Sequence, residues 1–175
     1  LDRVGAVLVL TLNRPSVRNA YDSAMRDALV DGLQLAVADP TVTRVELRGA
    51  GSAFCAGGDL SEFGTTPDPT IGHLVRTTRG AAALVAALAP RTHVFVHGTC
   101  VGAGAELPAF AGTVHADPAT TFALPEVVNL AVIPCACGIS RLTRIVGPHW
   151  ARWLALACET VTAAERELEW PARSG

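Results

Sequence analysis

Apolar residues follow two rhythms along this chain. Short β-branched and leucine-rich runs at residues 6–12 (AVLVLTL), 42–49 (VTRVELRG) and 93–98 (HVFVHG) have the length and composition of strands, and each ends at a polar or glycine break. Longer stretches carry helical spacing. From Asp22 or Ser23, either a good N-cap, the residues Met25, Leu29, Leu33 and Ala36 recur on one face until Asp39 and Pro40 stop the pattern. Residues 65–72 (TTPDPTIG) read as a loop, after which HLVRTTRGAAALVAALA predicts one long helix running to Pro90. From Cys135 to Trp170 the pattern is mainly helical, with Trp150, Trp153 and Leu154 as the packing face of a late helix. Strands alternating with helices predict a single α/β domain over residues 1–175, with mostly parallel pairing and no internal repeat.

Composition narrows the partners. Half of the 175 residues are hydrophobic, enough for a substantial core. The net charge of -2, with no basic block, gives no reason to expect nucleic acid or an anionic membrane, so small molecules or other proteins are the expected partners. All 14 basic residues are arginine, which excludes Schiff-base chemistry on a lysine. No apolar run reaches the ~18 residues of a membrane span. The five cysteines are odd in number and sit mostly among apolar neighbours, and no signal peptide precedes them, so a cytoplasmic, reducing setting is expected.

Two glycine-containing turns stand out, GSAFCAGGDLSEFG at residues 51–64 and GTCVGAGAEL at residues 98–107. Each follows a predicted strand and precedes a predicted helix, which places backbone N–H groups at one end of a sheet. Two such donors form an oxyanion site, whereas two ordinary turns would use the same residues. Glu106 and Glu126 stand in apolar company, AGAELPAF and FALPEVV, where desolvation raises a carboxyl pKa toward the range useful for acid or base work. For Glu126, an acidic first turn after Pro125 is an equally ordinary helix start. His93 and His97 lie ~13 Å apart along a strand and cannot share a metal. Cys135 and Cys137 are half of a thiolate site at most and read as small buried thiols.

The segments LTLNRPSVRNAYD, FCAGGDL, HGTCVGAGAEL, FALPEV and RLTRIVG, in this order and spacing, resemble the crotonase superfamily, the enoyl-CoA hydratase/isomerase proteins. The resemblance implies a spiral of repeated ββα units, with a core over residues 1–147 and the start of a C-terminal helical region at 148–175, the last helices being cut short. It implies an enoyl-CoA hydratase-like lyase that adds water to a 2-enoyl-CoA thioester, with coenzyme A present only as part of the substrate and neither metal nor redox cofactor. The oxyanion amides would be those of Gly58 and Ala103, the catalytic acids Glu106 and Glu126, and the substrate-binding residues Arg18, Ala20, Ala56, Gly57, Asp59 and Gly102. Arg18 would meet a phosphate, Ala20 would contribute a backbone contact, and Asp59 would fix the turn or the helix start after it. Members assemble as trimers or dimers of trimers. Both glutamates together favour hydration over isomerisation with a single glutamate, and a catalytically silent acyl-CoA-binding scaffold is the contrasting class.

The sequence departs from the family pattern at several points. PCACG replaces a glycine-rich loop after the second glutamate, one extra residue separates Glu126 from Pro134, and Leu130 and Ala131 stand where a glycine is usual. Pro108 follows Glu106 by two positions, where it would remove a helical hydrogen bond unless it lies in a first turn, and Gly112 replaces an aspartate.

Overall fold

The computed structural model describes residues 1–66, 68–134 and 138–164. A five-stranded sheet is ordered β1(Asp2–Val4), β2(Val7–Leu12), β3(Arg44–Gly49), β4(Thr92–Val96) and, further along the chain, β6(Thr113–Ala116). β1 pairs antiparallel with β2, and the remaining neighbours pair in parallel. A smaller sheet joins β5(Thr99–Val101) in parallel to β7(Thr121–Ala123), and β7 antiparallel to β8(Val161–Thr162). This is the expected α/β architecture.

Helix α1(Ser23–Ala38) is capped by Asp22, whose side chain accepts from the Met25 amide, and it buries Leu29, Leu33 and Ala36 as the spacing predicts. Those residues meet Leu8, Leu10 and Leu12 of β2, Val45 and Leu47 of β3, and Val94 and Val96 of β4 in the main core. β2 and β4 alternate as a sheet packed on one face requires, while β3 also buries Glu46 between Val45 and Leu47.

The N-terminus, the long middle helix and the late helical stretch differ from the sequence reading. The N-terminus forms a hairpin, because Gly5 at φ 60 turns the chain between β1 and β2. The single long helix is two, α2(Pro69–Thr78) and α3(Ala81–Ala87). Asp68 caps α2 with Pro69 in its first turn, so part of the expected loop is helical, and Gly80 separates the two helices. The late helical stretch, α6(Gly138–Ala157), bends at Gly147 before Pro148 and then gives way to β8. Leu154 packs in a second core with Leu124, Leu142 and Ala151, while Trp150 meets Trp153 edge-on at 5.6 Å.

Candidate active site

The two glycine turns lie side by side. Past the end of β3 the chain returns to form an isolated parallel bridge between Cys55 and Cys100, in which the Cys55 amide donates to the Thr99 carbonyl at 3.2 Å and the Val101 amide donates to the Cys55 carbonyl at 3.0 Å. Gly58 and Ala103 each stand three residues beyond this bridge. Gly57 takes φ 99 and Gly102 φ 51, the left-handed half of the map where a side chain is strained. A Cβ on Gly57 would lie 3.1 Å from the Val101 carbonyl oxygen, and one on Gly102 would lie 3.8 Å from the Gly57 Cα. The glycines let two backbones pass in contact.

The direction of each donor follows from its peptide plane. There are no cis peptides among the described residues, and in a trans peptide the C=O and N–H point opposite ways. The Gly57 carbonyl accepts from the Tyr21 amide at 2.7 Å, so the Gly58 N–H of the same plane points away from the 18–21 loop. The Gly102 carbonyl accepts from the amides of Ala105 at 2.8 Å and Glu106 at 2.9 Å, so the Ala103 N–H points out from the start of α4(Ala103–Glu106). Among the described residues neither the Gly58 nor the Ala103 amide has an acceptor.

Gly102 also connects the two acids. Its amide donates to the Ala123 carbonyl at 3.0 Å, which carries β5 past β7 and brings α5(Glu126–Leu130) alongside. The Glu126 carboxylate rests on Gly102, where any Cβ would collide with Oε1. Its Oε2 is buried without a hydrogen-bond partner among the described residues. Burial pushes the Glu126 carboxyl above the ordinary range, and a hydrogen bond from its own amide offsets part of that. Glu106, 2% exposed, lies in the last turn of α4. Pro108 falls in the first turn of a 3-10 segment, Leu107–Phe110, that takes over where α4 ends, so no interior helical hydrogen bond is lost. A side chain at 112 would collide with the Ala89 carbonyl oxygen, which explains the glycine in place of an aspartate. Ala131 adopts φ 53, the conformation that a glycine would ease.

The expected substrate-binding residues divide into free and engaged. Arg18 is exposed and forms no ion pair among the described residues. Ala20 is engaged at both backbone groups: its amide donates to the Val17 carbonyl at 3.1 Å, and its carbonyl accepts from Arg14 Nη1 at 2.7 Å. The Ala56 amide donates to the Arg18 carbonyl at 2.9 Å. Asp59 caps the 3-10 turn Leu60–Glu62 by accepting from the Ser61 amide and hydroxyl, and it pairs with Arg14 at 2.8 Å. The Ser61 hydroxyl and the Arg14 guanidinium hold its carboxyl down at about 2.

Sequence reasoning missed Asn19. It is fully buried at φ 56, its Nδ2 donates to the carbonyls of Ala50 and Ala53 at 2.8 Å and of Phe54 at 3.2 Å, and its Oδ1 accepts from the Arg14 amide at 2.8 Å. An asparagine in a polar break, where left-handed backbone is tolerated, was the available signal. His93 pairs with His115 at 3.2 Å and His97 with the Gly51 carbonyl at 3.0 Å, so the two histidines serve separate places. Cys135 and Cys137 lie outside the described residues. Among the described residues there is no group of three or more potential metal ligands, and no helix is long and apolar enough to cross a membrane.

Residues 2–169 match the enoyl-CoA hydratase/isomerase family. The chain is 33% identical to the 2,3-dehydroadipyl-CoA hydratase of Escherichia coli over 95% of its own length and 64% of that protein, and 35% identical to the mevalonyl-coenzyme A hydratase SIDH of Beauveria bassiana over 91% and 59%. The crystal structure of an enoyl-CoA hydratase from Bacillus anthracis superposes with a TM-score of 0.85 at 28% identity, covering 96% of this chain and 66% of that one. Pseudomonas aeruginosa AtuE superposes at 0.86 and 30%, with the same coverage. The chain thus spans about three fifths of the length of these curated relatives.

Proposed function

Because the chain belongs to the enoyl-CoA hydratase/isomerase family, we propose that it adds water across the α,β double bond of a 2-enoyl-CoA thioester. One observation carries this reading: two neighbouring peptides have their carbonyls tied down on the far side and, among the described residues, no acceptor for their amides, with a half-buried carboxyl beside them. The thioester oxygen sits between the Gly58 and Ala103 amides. As water attacks the β-carbon, electrons move onto that oxygen, and donors fixed beforehand stabilise the charge that develops there. Glu106 takes the proton from the attacking water. Glu126, whose carboxyl is held above the usual range, supplies the proton to the α-carbon and suits the donor role. The net reaction consumes one water and leaves both carboxyls exchanged in protonation, which solvent resets. Arg18, exposed and without an ion pair among the described residues, would meet a phosphate of coenzyme A. In keeping with the family resemblance, the working unit is a trimer or a dimer of trimers.

Steady-state hydration of short and medium 2-enoyl-CoA substrates tests this directly, with product analysis separating a 3-hydroxyacyl product from a shifted double bond. Glu106→Gln and Glu126→Gln should each lower kcat by about 10²–10⁴-fold. Equal turnover in variants and wild type rejects the assigned roles.

A further inference from the structure

The two oxyanion donors are built differently. The Ala103 amide is held from behind by two amides of its own helix turn, whereas the Gly58 amide is held by a loop distant in sequence. Its plane is fixed by the Tyr21 amide, which donates to the Gly57 carbonyl at 2.7 Å. The Tyr21 amide shares its plane with the Ala20 carbonyl, and that carbonyl accepts from Arg14 Nη1 at 2.7 Å. The sequence of contacts is therefore guanidinium to peptide 20–21, peptide 20–21 to peptide 57–58, and the Gly58 N–H at the open end. Head-to-tail hydrogen bonds polarise one another, so the terminal donor is both aimed and strengthened.

Resting on the oxyanion reading above, the geometry points to Arg14 as a positioning residue for the reaction, the anchored end of a two-peptide relay that aims the Gly58 amide at the thioester oxygen. Charge alone does not account for the arrangement. Arg14 Nη1 also meets Asp59 Oδ2 at 2.8 Å and Asp22 Oδ2 at 3.2 Å, and two carboxylates on one guanidinium leave no net positive field to reach the substrate. What Arg14 supplies is orientation. Asp22 begins α1 and Asp59 begins the turn after Gly58, so one side chain pins both ends of the bridge between Tyr21 and Gly58. Asn19 supports the same loop by its three bonds to the carbonyls of residues 50–54.

The test compares wild type, Arg14→Met and Arg14→Lys by two readouts. One is the carbonyl stretching frequency of bound butanoyl-CoA labelled with carbon-13 at the thioester, measured by infrared difference spectroscopy. The other is the division of the effect between kcat and KM for 2-butenoyl-CoA. In wild type the bound carbonyl frequency falls below its value in water. Arg14→Met loses a large part of that fall and about tenfold in kcat, less than outright removal of a donor, with KM within about threefold. Arg14→Lys, whose ammonium can still donate to Ala20, recovers most of both. Should Arg14→Met fail to fold, Arg14→Leu, which likewise has no donor for the Ala20 carbonyl, carries the same comparison. A folded neutral variant with the full frequency shift and wild-type kcat overturns the relay, as does one that raises KM alone. Absence of a shift in wild type is a different failure: it removes the oxyanion reading, and the relay falls with it.

Discussion

Glu126 lies against Gly102 with no room for a side chain between them, so the backbone that presents the Ala103 amide also forms the wall behind the Glu126 carboxyl. One residue thereby sets the spacing between donor and acid, and this explains a glycine at φ 51 and ψ -119, a combination closed to other residues.

Gly102→Ala is accordingly expected to cost about 1–3 kcal/mol in stability from backbone strain alone. It should also displace Glu126 and lower kcat by at least about tenfold. Chemical denaturation and kinetics on the same preparation check both effects. Gly58→Ala forms the contrast, because its Cβ would meet only the ring edge of Phe63 at 3.1 Å, and Phe63 is an exposed side chain free to move. That variant should stay within about tenfold of wild-type kcat.

Asn19→Ala removes one side chain from four hydrogen bonds in a buried place. Leaving several backbone groups unsatisfied costs about 3 kcal/mol or more, enough to endanger folding at 37 °C. A urea midpoint measurement decides this, and a midpoint unchanged from wild type contradicts the role assigned to Asn19.

The pH dependence of stability carries a sign for Glu126. Its folded pKa is raised, so the folded state holds the proton more tightly than the unfolded chain does. Stability from this group is fully present below the ordinary carboxylate range and is lost as pH rises through the folded pKa. Glu126→Gln should therefore unfold at a higher temperature than wild type at about pH 8, with the gain shrinking toward about pH 4. Thermal scans across that range show either the shrinking gain or its absence.

Asp59 carries the opposite sign. Held at about 2 by Ser61 and Arg14, it stabilises the fold above its ordinary pKa and loses that contribution as pH falls through about 2. Asp59→Asn should lower the unfolding temperature at neutral pH and converge with wild type in strong acid. Parallel titrations of the two proteins measure the difference.

Much of this was legible in the sequence because it rests on local rules. The α1 cap and its buried face follow from Asp22 and a repeat of three to four residues, and Gly57 marks a backbone that must turn sharply beside another. The division of the helix at Gly80 was readable as well, but the apolar pattern continues through it and favours one helix over two. The tie between Arg14 and Ala20, and the burial of Asn19 against residues 50–54, depend on a loop folding back across the sheet. No periodicity encodes such a contact. A run like NRPSVRN therefore announces only a break, and its role becomes visible once the strands around it are placed.

In the proposed reaction the amides of Gly58 and Ala103 receive one oxygen. A crystal structure with a saturated acyl-CoA tests it most directly. The expected result is a thioester oxygen about 2.7–3.1 Å from both nitrogens, with Glu126 facing the α-carbon. A thioester bound elsewhere, or an oxygen held by neither amide, contradicts it.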